Sequence, residues 1–485
     1  MYPRIARFRT ADDLRAHCRT ISAPIPLDDT ILSAAEGSPL AAPITIGGRR
    51  VGNRWCIHPM EGWDASADGQ PTDTLLRRWQ RFGESGAKLI WGGEAVAVLA
   101  EGRANPNQLL AGACGREGFA RLLETVQTAH RERHGTADDL LVALQLTHSG
   151  RFSKPTSAGR QPRIAYHHPL LDARHGVDPH DQACVLTDDD VERLIDAYVS
   201  AARDAAAVGF EMVDLKACHG YLVHEFLSAR RRPGRFGGDF GGRTRLLRTL
   251  VERVRAECPG LMIGVRLSLF DTVPWHKVGD HGEPFPFPVA IPYDCGFGVD
   301  EQHPLRADLA EPIALLELLR DLGVVSVNLS AGSPYTVPHI QRPAAFPPSD
   351  GYPPPEDPLV GVWRQIEAAA RAKAAVPGLV MVGSGYTYLQ EYVAHAAQAV
   401  VRAGWIDIVG LGRMVLSYPE LPADALAGTT LARTSICRTF SDCTTAPRHG
   451  LRSGCYPLDD FYKQLEPEAS RVKALKAAAG SHRGP

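Results

Sequence analysis

The sequence predicts an α/β protein built on a (β/α)8 TIM barrel, with long loops at the carboxyl ends of the strands and a short cysteine-containing C-terminal extension. Eight short β-rich runs alternate in order with eight longer amphipathic segments. The runs are almost continuously apolar, which is typical of parallel strands covered on both faces. No Gly-x-Gly-x-x-Gly motif follows the first run, which disfavours an open dinucleotide-binding sheet. Eight successive strand–helix units therefore favour a closed barrel.

Each unit pairs one predicted strand with one predicted helix. The third helix has a recognisable start, because Thr187 precedes a run of acids and reads as an N-cap at the positive helix end. The fourth helix stops at Pro259 and Gly260. The predicted strands cover residues 54–60, 87–98, 139–150, 210–220, 261–270, 324–334, 379–386 and 405–417. The predicted helices cover residues 71–86, 115–133, 187–209, 243–260, 309–323, 357–378, 387–404 and 420–428.

The pattern divides the chain into three parts. Residues 1–44 are predicted to be an N-terminal extension, residues 45–428 the barrel, and residues 429–485 a C-terminal extension. The connections 151–186, 271–308 and 331–356 are too long for plain turns, and all leave the strand ends where barrel enzymes build their sites. Their aromatic residues predict walls or a lid over a flat, partly apolar ligand; examples are Trp275, Phe285, Phe287 and Tyr335.

Composition excludes several classes of function. The 485 residues carry 53 Lys+Arg against 55 Asp+Glu, a formal charge of −2, so no basic surface favours a nucleic-acid partner. No apolar stretch is long enough to span a bilayer, and the charged first twenty residues do not resemble a secretion signal. The ten cysteines are scattered, which favours reduced thiols. We therefore expect a cytoplasmic enzyme that acts on a small molecule and has neither membrane nor nucleic-acid partners.

Glycine-rich turns follow the last two predicted strands. They contain Gly383, Ser384 and Gly385 after the seventh strand, and Gly412 and Arg413 after the eighth. Backbone N–H groups of such turns can face an anion because no Cβ intervenes, and an arginine adds a bidentate charge. Tight turning alone explains either glycine group, but the two groups together with Arg413 predict a phosphate site.

Gln145 and Arg266, at the ends of the third and fifth predicted strands, indicate what kind of group the rest of the ligand carries. A side-chain amide can both donate to and accept from a pyrimidine-like edge. A fixed cation suits a group that gains negative charge, as a flavin does near N1 and its C2 oxygen on reduction. Each residue could instead belong to a buried polar network. Together with the phosphate site they favour FMN.

Six segments of the chain resemble the Old Yellow Enzyme family of FMN-dependent oxidoreductases. The resemblance is greatest to the barrel part of the larger bacterial branch, which includes dienoyl-CoA reductases and trimethylamine dehydrogenase. The segments fall at the predicted strand ends, in the same order. They are PITIGGRRVGNRWCIHPM (43–60), GGEAVAVLAEGRANP (92–106), LQLTHSGR (144–151), CHGYLVHEFLS (218–228), GVRLS (264–268) and DIVGLGRMVLSYPELP (407–422).

The resemblance implies a role for residues in these segments. Glu61 and its two predecessors are expected beside flavin N5, and the glycine-rich turns at the ribityl phosphate. His219 matches the second of the family's two substrate-oxygen donors, and Tyr221 matches the tyrosine that supplies a proton to the carbon opposite hydride attack. The residues implied to bind FMN are Pro59, Met60, Glu61, Ala95, Gln145, Arg266, Gly383, Ser384, Gly385, Gly412 and Arg413.

Two residues depart from the family pattern. Lys216 stands where many relatives have histidine as the first oxygen donor. It can hold a carbonyl, carboxylate or thioester oxygen with a full charge, or form a salt bridge to Glu61. Glu61 stands where relatives usually have threonine or cysteine. It can tune the flavin, orient the substrate or neutralise Lys216, and the sequence leaves these roles open.

The C-terminal extension contains Cys437, Cys443 and Cys455. The larger relatives hold a four-iron cluster here on cysteines spaced C-x2-C-x3-C-x11-C. Cys443 and Cys455 keep the last spacing, but Ile436 and Thr439 occupy the first two positions and Cys437 is out of phase. We therefore expect neither an iron–sulfur cluster nor a metal. A cluster or zinc held by three cysteines and another ligand is the alternative.

The leading hypothesis is an NAD(P)H:flavin oxidoreductase of the ene-reductase type. In it, flavin N5 passes a hydride from NAD(P)H to an alkene conjugated to a carbonyl or acyl group. Lys216 and His219 hold the activating oxygen, and Tyr221 delivers the proton. One alternative is a flavin-dependent dehydrogenase or demethylase that oxidises a C–H or C–N bond.

Two further alternatives lie outside this chemistry. One is a cofactor-free aldolase barrel that uses Lys216 as a Schiff-base nucleophile. The other is a non-catalytic flavin-binding protein. The family resemblance allows a monomer or a homo-oligomer.

Overall fold

The computed structural model describes residues 2–279, 281–286 and 291–479. Eight parallel strands form a closed barrel in the order β3-β4-β5-β6-β7-β10-β11-β12, with β12 pairing back to β3. The predicted fold class is therefore confirmed. The strands are β1 Ile44–Ile46, β2 Arg49–Val51, β3 Trp55–Ile57, β4 Leu89–Ala97, β5 Leu141–Thr147, β6 Met212–Ala217, β7 Met262–Ser268, β8 Trp275–Val278, β9 His281–Pro284, β10 Ser326–Ser330, β11 Val380–Gly383 and β12 Ile408–Leu411.

Helices surround the barrel, and each predicted strand–helix unit contains one. Phe287, which was predicted to lie in a site wall, falls outside the described residues. The helices are α1 Ala11–Thr20, α2 Asp73–Gly83, α3 Ala111–His134, α4 Asp172–His175, α5 Asp188–Ala207, α6 Leu222–Leu227, α7 Phe240–Glu257, α8 Ala310–Asp321, α9 Pro338–Gln341, α10 Pro358–Ala375, α11 Val393–Arg402, α12 Met414–Ser417, α13 Leu421–Ala427, α14 Asp442–Arg448, α15 Asp460–Lys463 and α16 Glu468–Ala478. No helix in the described ranges is both long enough and apolar enough to cross a membrane.

Local sequence explains where several helices begin. The N-cap predicted for α5 is present as a capping box, in which the Thr187 side chain accepts from the Asp190 backbone and the Asp190 side chain accepts in return. The helix predicted over 387–404 is only partly α-helical. Residues Tyr386–Tyr392 form 3₁₀ turns, and Gln390 has φ = 52°, which interrupts an α-helix. The α-helix therefore starts at Val393.

The amino end of the barrel is filled by apolar side chains. The hairpin β1–β2 covers this end, and its Ile46 and Val51 are fully buried. They belong to one cluster with side chains of the barrel strands, among them Cys56, Trp91 and Met212. The barrel is thus a packed core rather than a pore, and its carboxyl end is left for a site.

The C-terminal extension packs back onto the loops around the barrel. Its helices have a small apolar core that includes Tyr456, Tyr462 and Val472. Arg77 of α2 makes two 3.0 Å hydrogen bonds to Asp459. The ammonium of Lys476 in α16 donates to the carbonyl oxygen of Pro347 at 2.8 Å. The extension is therefore a fixed part of the molecule next to the carboxyl end of the barrel.

A buried arginine connects the barrel with this extension. Arg78 forms ion pairs with Asp64 and, at 3.0 Å, with Glu94 of β4, and it donates to the carbonyl oxygen of Ser453 at 3.2 Å. Both oxygens of Glu94 accept from the backbone N–H of Gly62 at 3.1 Å. Burial raises the pKa of Glu94 above its ordinary value, and the Arg78 guanidinium opposes this rise. Arg78 thus holds the segment that follows β3.

Arg78→Met should lower the free energy of unfolding by roughly 3–5 kcal/mol, because it leaves buried carboxylates without their cation. Urea unfolding followed by circular dichroism measures the change. Arg193→Gln is the matched control, because the side chain of Arg193 is 69% exposed and its ion pair with Asp190 is on the surface. It should cost no more than about 0.5 kcal/mol. Equal stability of the two variants would contradict the role of Arg78.

Candidate active site

A cavity with about 1250 Å³ of empty space, partly open to solvent, lies at the carboxyl end of the barrel. Twelve of the fourteen predicted site residues line it. Ala95 and Gly383 do not: Ala95 is fully buried in β4 and Gly383 ends β11. Their roles remain predictions. The twelve lining residues are Pro59, Met60, Glu61, Gln145, Lys216, His219, Tyr221, Arg266, Ser384, Gly385, Gly412 and Arg413.

Glu61 is the centre of a polar cluster on one side of this cavity. Its carboxylate forms an ion pair with Lys216 and accepts from the hydroxyl of Tyr221 at 2.7 Å. The indole N–H of Trp63 donates to the same carboxylate at 3.2 Å. The Lys216 ammonium also lies 3.7 Å from the centroid of the Tyr221 ring, within range of a cation–π interaction. The salt bridge given as the alternative role of Lys216 is therefore present.

A sharp turn after β6 brings the predicted catalytic residues together. His219 has φ = 64° and Gly220 has φ = 74°, both in the left-handed region. The turn is held because the His219 backbone N–H donates to the Ser268 hydroxyl at 3.0 Å. Tyr221 then precedes α6 and faces back toward Glu61. Strain at His219 is consistent with a functional position.

The titratable groups of this side have strongly shifted pKa values. Burial, with the Glu61 carboxylate and Tyr335 nearby, raises the pKa of Tyr221 well above its ordinary value. Burial, with Arg266 and Lys216 nearby, lowers the pKa of His219 well below its ordinary value. The His219 Nε2 atom lies 2.8 Å from the Ser330 hydroxyl. Near neutral pH the phenol therefore keeps its proton and the imidazole is neutral.

The long loops contribute Tyr335 to the wall of the cavity, but not the other described aromatic residues that were predicted there. Tyr335, from the loop after β10, lines the cavity and stacks on Phe152 with ring centroids 4.1 Å apart. Its hydroxyl lies 3.2 Å from that of Tyr221. Trp275 and Phe285 are part of the β8–β9 region and are not among the lining residues.

The Gln145 side chain and the Arg266 backbone are both hydrogen-bonded to a buried carboxylate that the sequence did not lead us to expect. Asp214 accepts from the Gln145 amide at 2.5 Å and from the Arg266 backbone N–H at 2.6 Å. Burial raises the pKa of Asp214 to about 6, and its hydrogen bonds oppose the rise. A signal for it was present, because Asp214 is an acid inside an apolar strand, two residues before Lys216 and on the same face.

The glycine-rich turns lie at the other end of the cavity. Ser384 contacts His58 at 3.0 Å, and burial lowers the pKa of that histidine well below its ordinary value. Arg413 donates to the carbonyl oxygen of Pro343 at 2.8 Å. Two arginines that the sequence analysis did not single out, Arg342 and Arg448, also line this end. They come from a loop and from the C-terminal extension, so no strand-end pattern could have found them.

The lining residues fit FMN. The Nε atom of Arg266 and an Nη atom of Arg413 are buried without a hydrogen-bond partner among the described residues. These donors suit the flavin edge and the phosphate, respectively. Gly412 lines the cavity, and the position of a Cβ there meets open space, so a ligand can approach this turn closely.

The cysteines of the C-terminal extension lie near this end of the cavity. Cys443 is one of the lining residues, and the Cys437 sulfur accepts from the Thr439 backbone N–H at 3.4 Å. All ten cysteines are free thiols. Within residues 2–279, 281–286 and 291–479, no group of three or more histidine, cysteine or acidic side chains is arranged to hold a metal ion.

The chain is similar in sequence to enzymes named NADH:flavin oxidoreductase and NADPH dehydrogenase. It is 27% identical over 395 residues to an NADH:flavin oxidoreductase of Gibberella zeae, an alignment that covers 78% of this chain and 83% of the relative. It is 25% identical to an NADPH dehydrogenase of a Geobacillus species, with 81% and 96% covered.

Solved structures share the fold. A 2-naphthoyl-CoA reductase superposes with a TM-score of 0.64 at 17% identity, covering 88% of this chain but 58% of that longer one. The Old Yellow Enzyme homologue of Zymomonas mobilis superposes with a TM-score of 0.55 at 23% identity, with 81% and 94% covered.

A family model settles the classification. The model for the NADH:flavin oxidoreductase / NADH oxidase family matches residues 39–284, just over half of the 485 residues. The matched segment contains Glu61, Gln145, Lys216, Tyr221 and Arg266. The chain therefore belongs to the NADH:flavin oxidoreductase / NADH oxidase family and is an NAD(P)H-dependent oxidoreductase with FMN as its cofactor.

Proposed function

We propose that this enzyme reduces an alkene conjugated to a carbonyl or acyl group. The chemistry that bound FMN supplies is hydride transfer, from the nicotinamide to the β-carbon of the alkene. The observation that carries the proposal is the buried phenol of Tyr221, which shares one cavity with two groups able to bind a substrate oxygen, Lys216 and His219.

Tyr221 is suited to donate the proton that completes the reduction. Its raised pKa keeps the O–H intact near neutral pH. Reduction of the alkene adds one hydride at the β-carbon and one proton at the α-carbon, and Tyr221 gives the proton. The phenolate left behind lies next to the Lys216 ammonium, 3.7 Å from the ring centroid, which offsets part of the repulsion from the Glu61 carboxylate.

His219 and Lys216 are suited to hold the activating oxygen of the substrate. A neutral imidazole donates one hydrogen bond, and the lowered pKa of His219 keeps it neutral. Hydrogen bonds to this oxygen withdraw electrons from the alkene and stabilise the charge that develops on it. Because Glu61 offsets the charge of Lys216, the pair suits a neutral carbonyl or thioester better than a carboxylate.

The same cluster provides a path for a replacement proton. Each turnover removes one proton from Tyr221, and the Glu61 carboxylate connects that oxygen to the Lys216 ammonium. A proton passes from Lys216 to Glu61 and from Glu61 to the phenolate, and water then returns a proton to Lys216. The cluster therefore restores the donor without moving a side chain.

These observations favour reduction over the dehydrogenase alternative. Oxidation of a C–H or C–N bond needs a base, and a phenol with a raised pKa is a poor one. The Glu61 carboxylate is already engaged by Lys216, Tyr221 and Trp63. The aldolase alternative is disfavoured too, because the Lys216 amine is ion-paired and the family is a flavin-dependent one.

Tyr221→Phe should slow alkene reduction by roughly 10²- to 10⁴-fold, the usual contribution of a positioned general acid. Flavin reduction by NAD(P)H should change by less than about 2-fold, because that step takes no proton from Tyr221. Anaerobic stopped-flow measurement of flavin absorbance follows the two half-reactions separately.

Tyr335→Phe is the matched control for this prediction. It removes a phenol hydroxyl 3.2 Å from that of Tyr221 but no proposed proton donor. We expect less than about a 10-fold effect on either half-reaction, the size of one ordinary hydrogen bond. If Tyr221→Phe slowed flavin reduction and alkene reduction equally, Tyr221 would not be the proton donor.

Glu61→Gln should shift substrate preference toward anions. With the carboxylate gone, the charge of the Lys216 ammonium is no longer offset. The KM for an α,β-unsaturated acid should therefore fall about 10-fold relative to the KM for its methyl ester, or about 1.4 kcal/mol. Steady-state kinetics with the two substrates measure the ratio. Glu61→Asp keeps the charge and is the control. An unchanged acid-to-ester ratio in Glu61→Gln would mean that the ion pair does not set this preference.

A further inference from the structure

Three arginines converge at the end of the cavity that holds the glycine-rich turns. Arg342 follows α9, Arg413 follows β12, and Arg448 ends α14 of the C-terminal extension. Arg448 is ion-paired with Asp350. In the described part of the chain, neither Arg342 nor Arg413 has a carboxylate within ion-pair distance. Arg342 and Arg413 are therefore partly buried cations without an ion-pair partner in the described ranges, and Asp350, which acts on Arg342 from a distance, is itself paired with Arg448.

Each of these two guanidinium groups has one nitrogen hydrogen-bonded to the protein and another without a partner among the described residues. Arg342 donates through Nη1 to the Thr444 hydroxyl at 2.5 Å, and Arg413 donates through Nη2 to the carbonyl oxygen of Pro343 at 2.8 Å. The remaining atoms, Nη2 of Arg342 and Nη1 of Arg413, are buried and have no partner in the described ranges. Unsatisfied buried donors on charged groups are costly.

Electrostatics at this end also favour an anion. Burial lowers the pKa of Arg342 to about 9, and the like charges of Arg448 and Arg413 contribute to the lowering. An anion placed between Arg342 and Arg413 would relieve both the repulsion and the missing hydrogen bonds. A phosphate monoester carries close to two negative charges near neutral pH and accepts bidentate hydrogen bonds. It therefore matches in charge the two cations that have no ion-pair partner in the described ranges.

We propose that Arg342 and Arg413 together clamp one phosphate group, and that Thr444 of the C-terminal extension positions Arg342 for this contact. Gly385 and Gly412 line the same end of the cavity, so the phosphate is assigned to the FMN cofactor rather than to a substrate. This assignment rests on the cofactor site described above. It gives the extension a function in cofactor binding that the barrel alone cannot supply.

The test compares FMN with riboflavin, which lacks only the phosphate. Full-length protein freed of flavin is titrated with each, and the quenching of flavin fluorescence gives the two dissociation constants. Arg342→Gln should weaken FMN binding roughly 10- to 100-fold, the range for a charged hydrogen bond, and riboflavin binding less than about 2-fold. Thr444→Val, which keeps the side-chain shape, should weaken FMN binding in the same selective way, by about 3- to 10-fold.

Arg438→Gln is the matched control within the extension. Its guanidinium is bonded to Gln390 and ion-paired with Glu391, and it is not among the lining residues. FMN affinity should stay within about 2-fold of the wild type. If Arg342→Gln does not fold, Thr444→Val carries the test alone. Circular dichroism verifies the folding of each variant.

Other outcomes overturn the proposal in distinguishable ways. Equal weakening of FMN and riboflavin by Arg342→Gln, or no weakening of either, would show that Arg342 does not contact the phosphate. Inhibition of the FMN-loaded wild type by inorganic phosphate that is lost in Arg342→Gln would assign the clamp to a substrate phosphate instead. Failure of the wild type to bind either flavin would contradict the cofactor site itself.

Discussion

Closure of the parallel barrel is the constraint on which the rest of the structure depends. The last strand pairs with the first barrel strand, Val409 with Trp55, so the sheet has no free edge. Because all eight strands run the same way, their carboxyl ends meet at one face. Residues far apart in sequence are thereby brought into contact: Glu61 and Lys216, 155 positions apart, form an ion pair. The β1–β2 hairpin and the apolar interior close the opposite face.

Charge is arranged differently at the two ends of the cavity. At the substrate end each cation has a resident acid nearby: Glu61 for Lys216, and Asp214 beside the backbone of Arg266. At the glycine-rich end no carboxylate of the described residues forms an ion pair with Arg342 or Arg413, and Asp350 is paired with Arg448. A protein interior tolerates unpaired charge only where a ligand supplies the counter-charge. The cavity therefore separates a nearly neutral region, suited to a carbonyl compound, from a cationic region suited to an anion.

The sequence predicted the barrel well because its signals are local. Apolar runs and capped helices identified every strand–helix unit. The residues at strand ends, taken with the family resemblance, identified twelve lining residues. Residues 387–392 were wrongly predicted as α-helix, since the positive φ of Gln390 leaves no mark in residue type. The ion pair of Lys216 with Glu61 was one of two alternatives, because its formation depends on how far apart β3 and β6 lie across the barrel.

Other parts of the site depend on tertiary packing and were not predictable. Arg342 follows a helix of four residues, and Thr444, which orients it, belongs to the extension. No spacing in the sequence relates the two positions. The roles of Ala95 and Gly383 stay predictions, because neither reaches the cavity surface.

The order in which the chain is synthesised gives the extension a further consequence. The wall formed by residues 443–453 emerges from the ribosome after all eight strands, while domains fold from the amino terminus as they appear. The barrel can thus assemble during translation with one side of its cavity still open. In the folded protein Arg77 and Arg78 hold the extension against the barrel through Asp459 and the carbonyl oxygen of Ser453. This cavity is therefore complete only once residues 443–453 have been synthesised and packed in place.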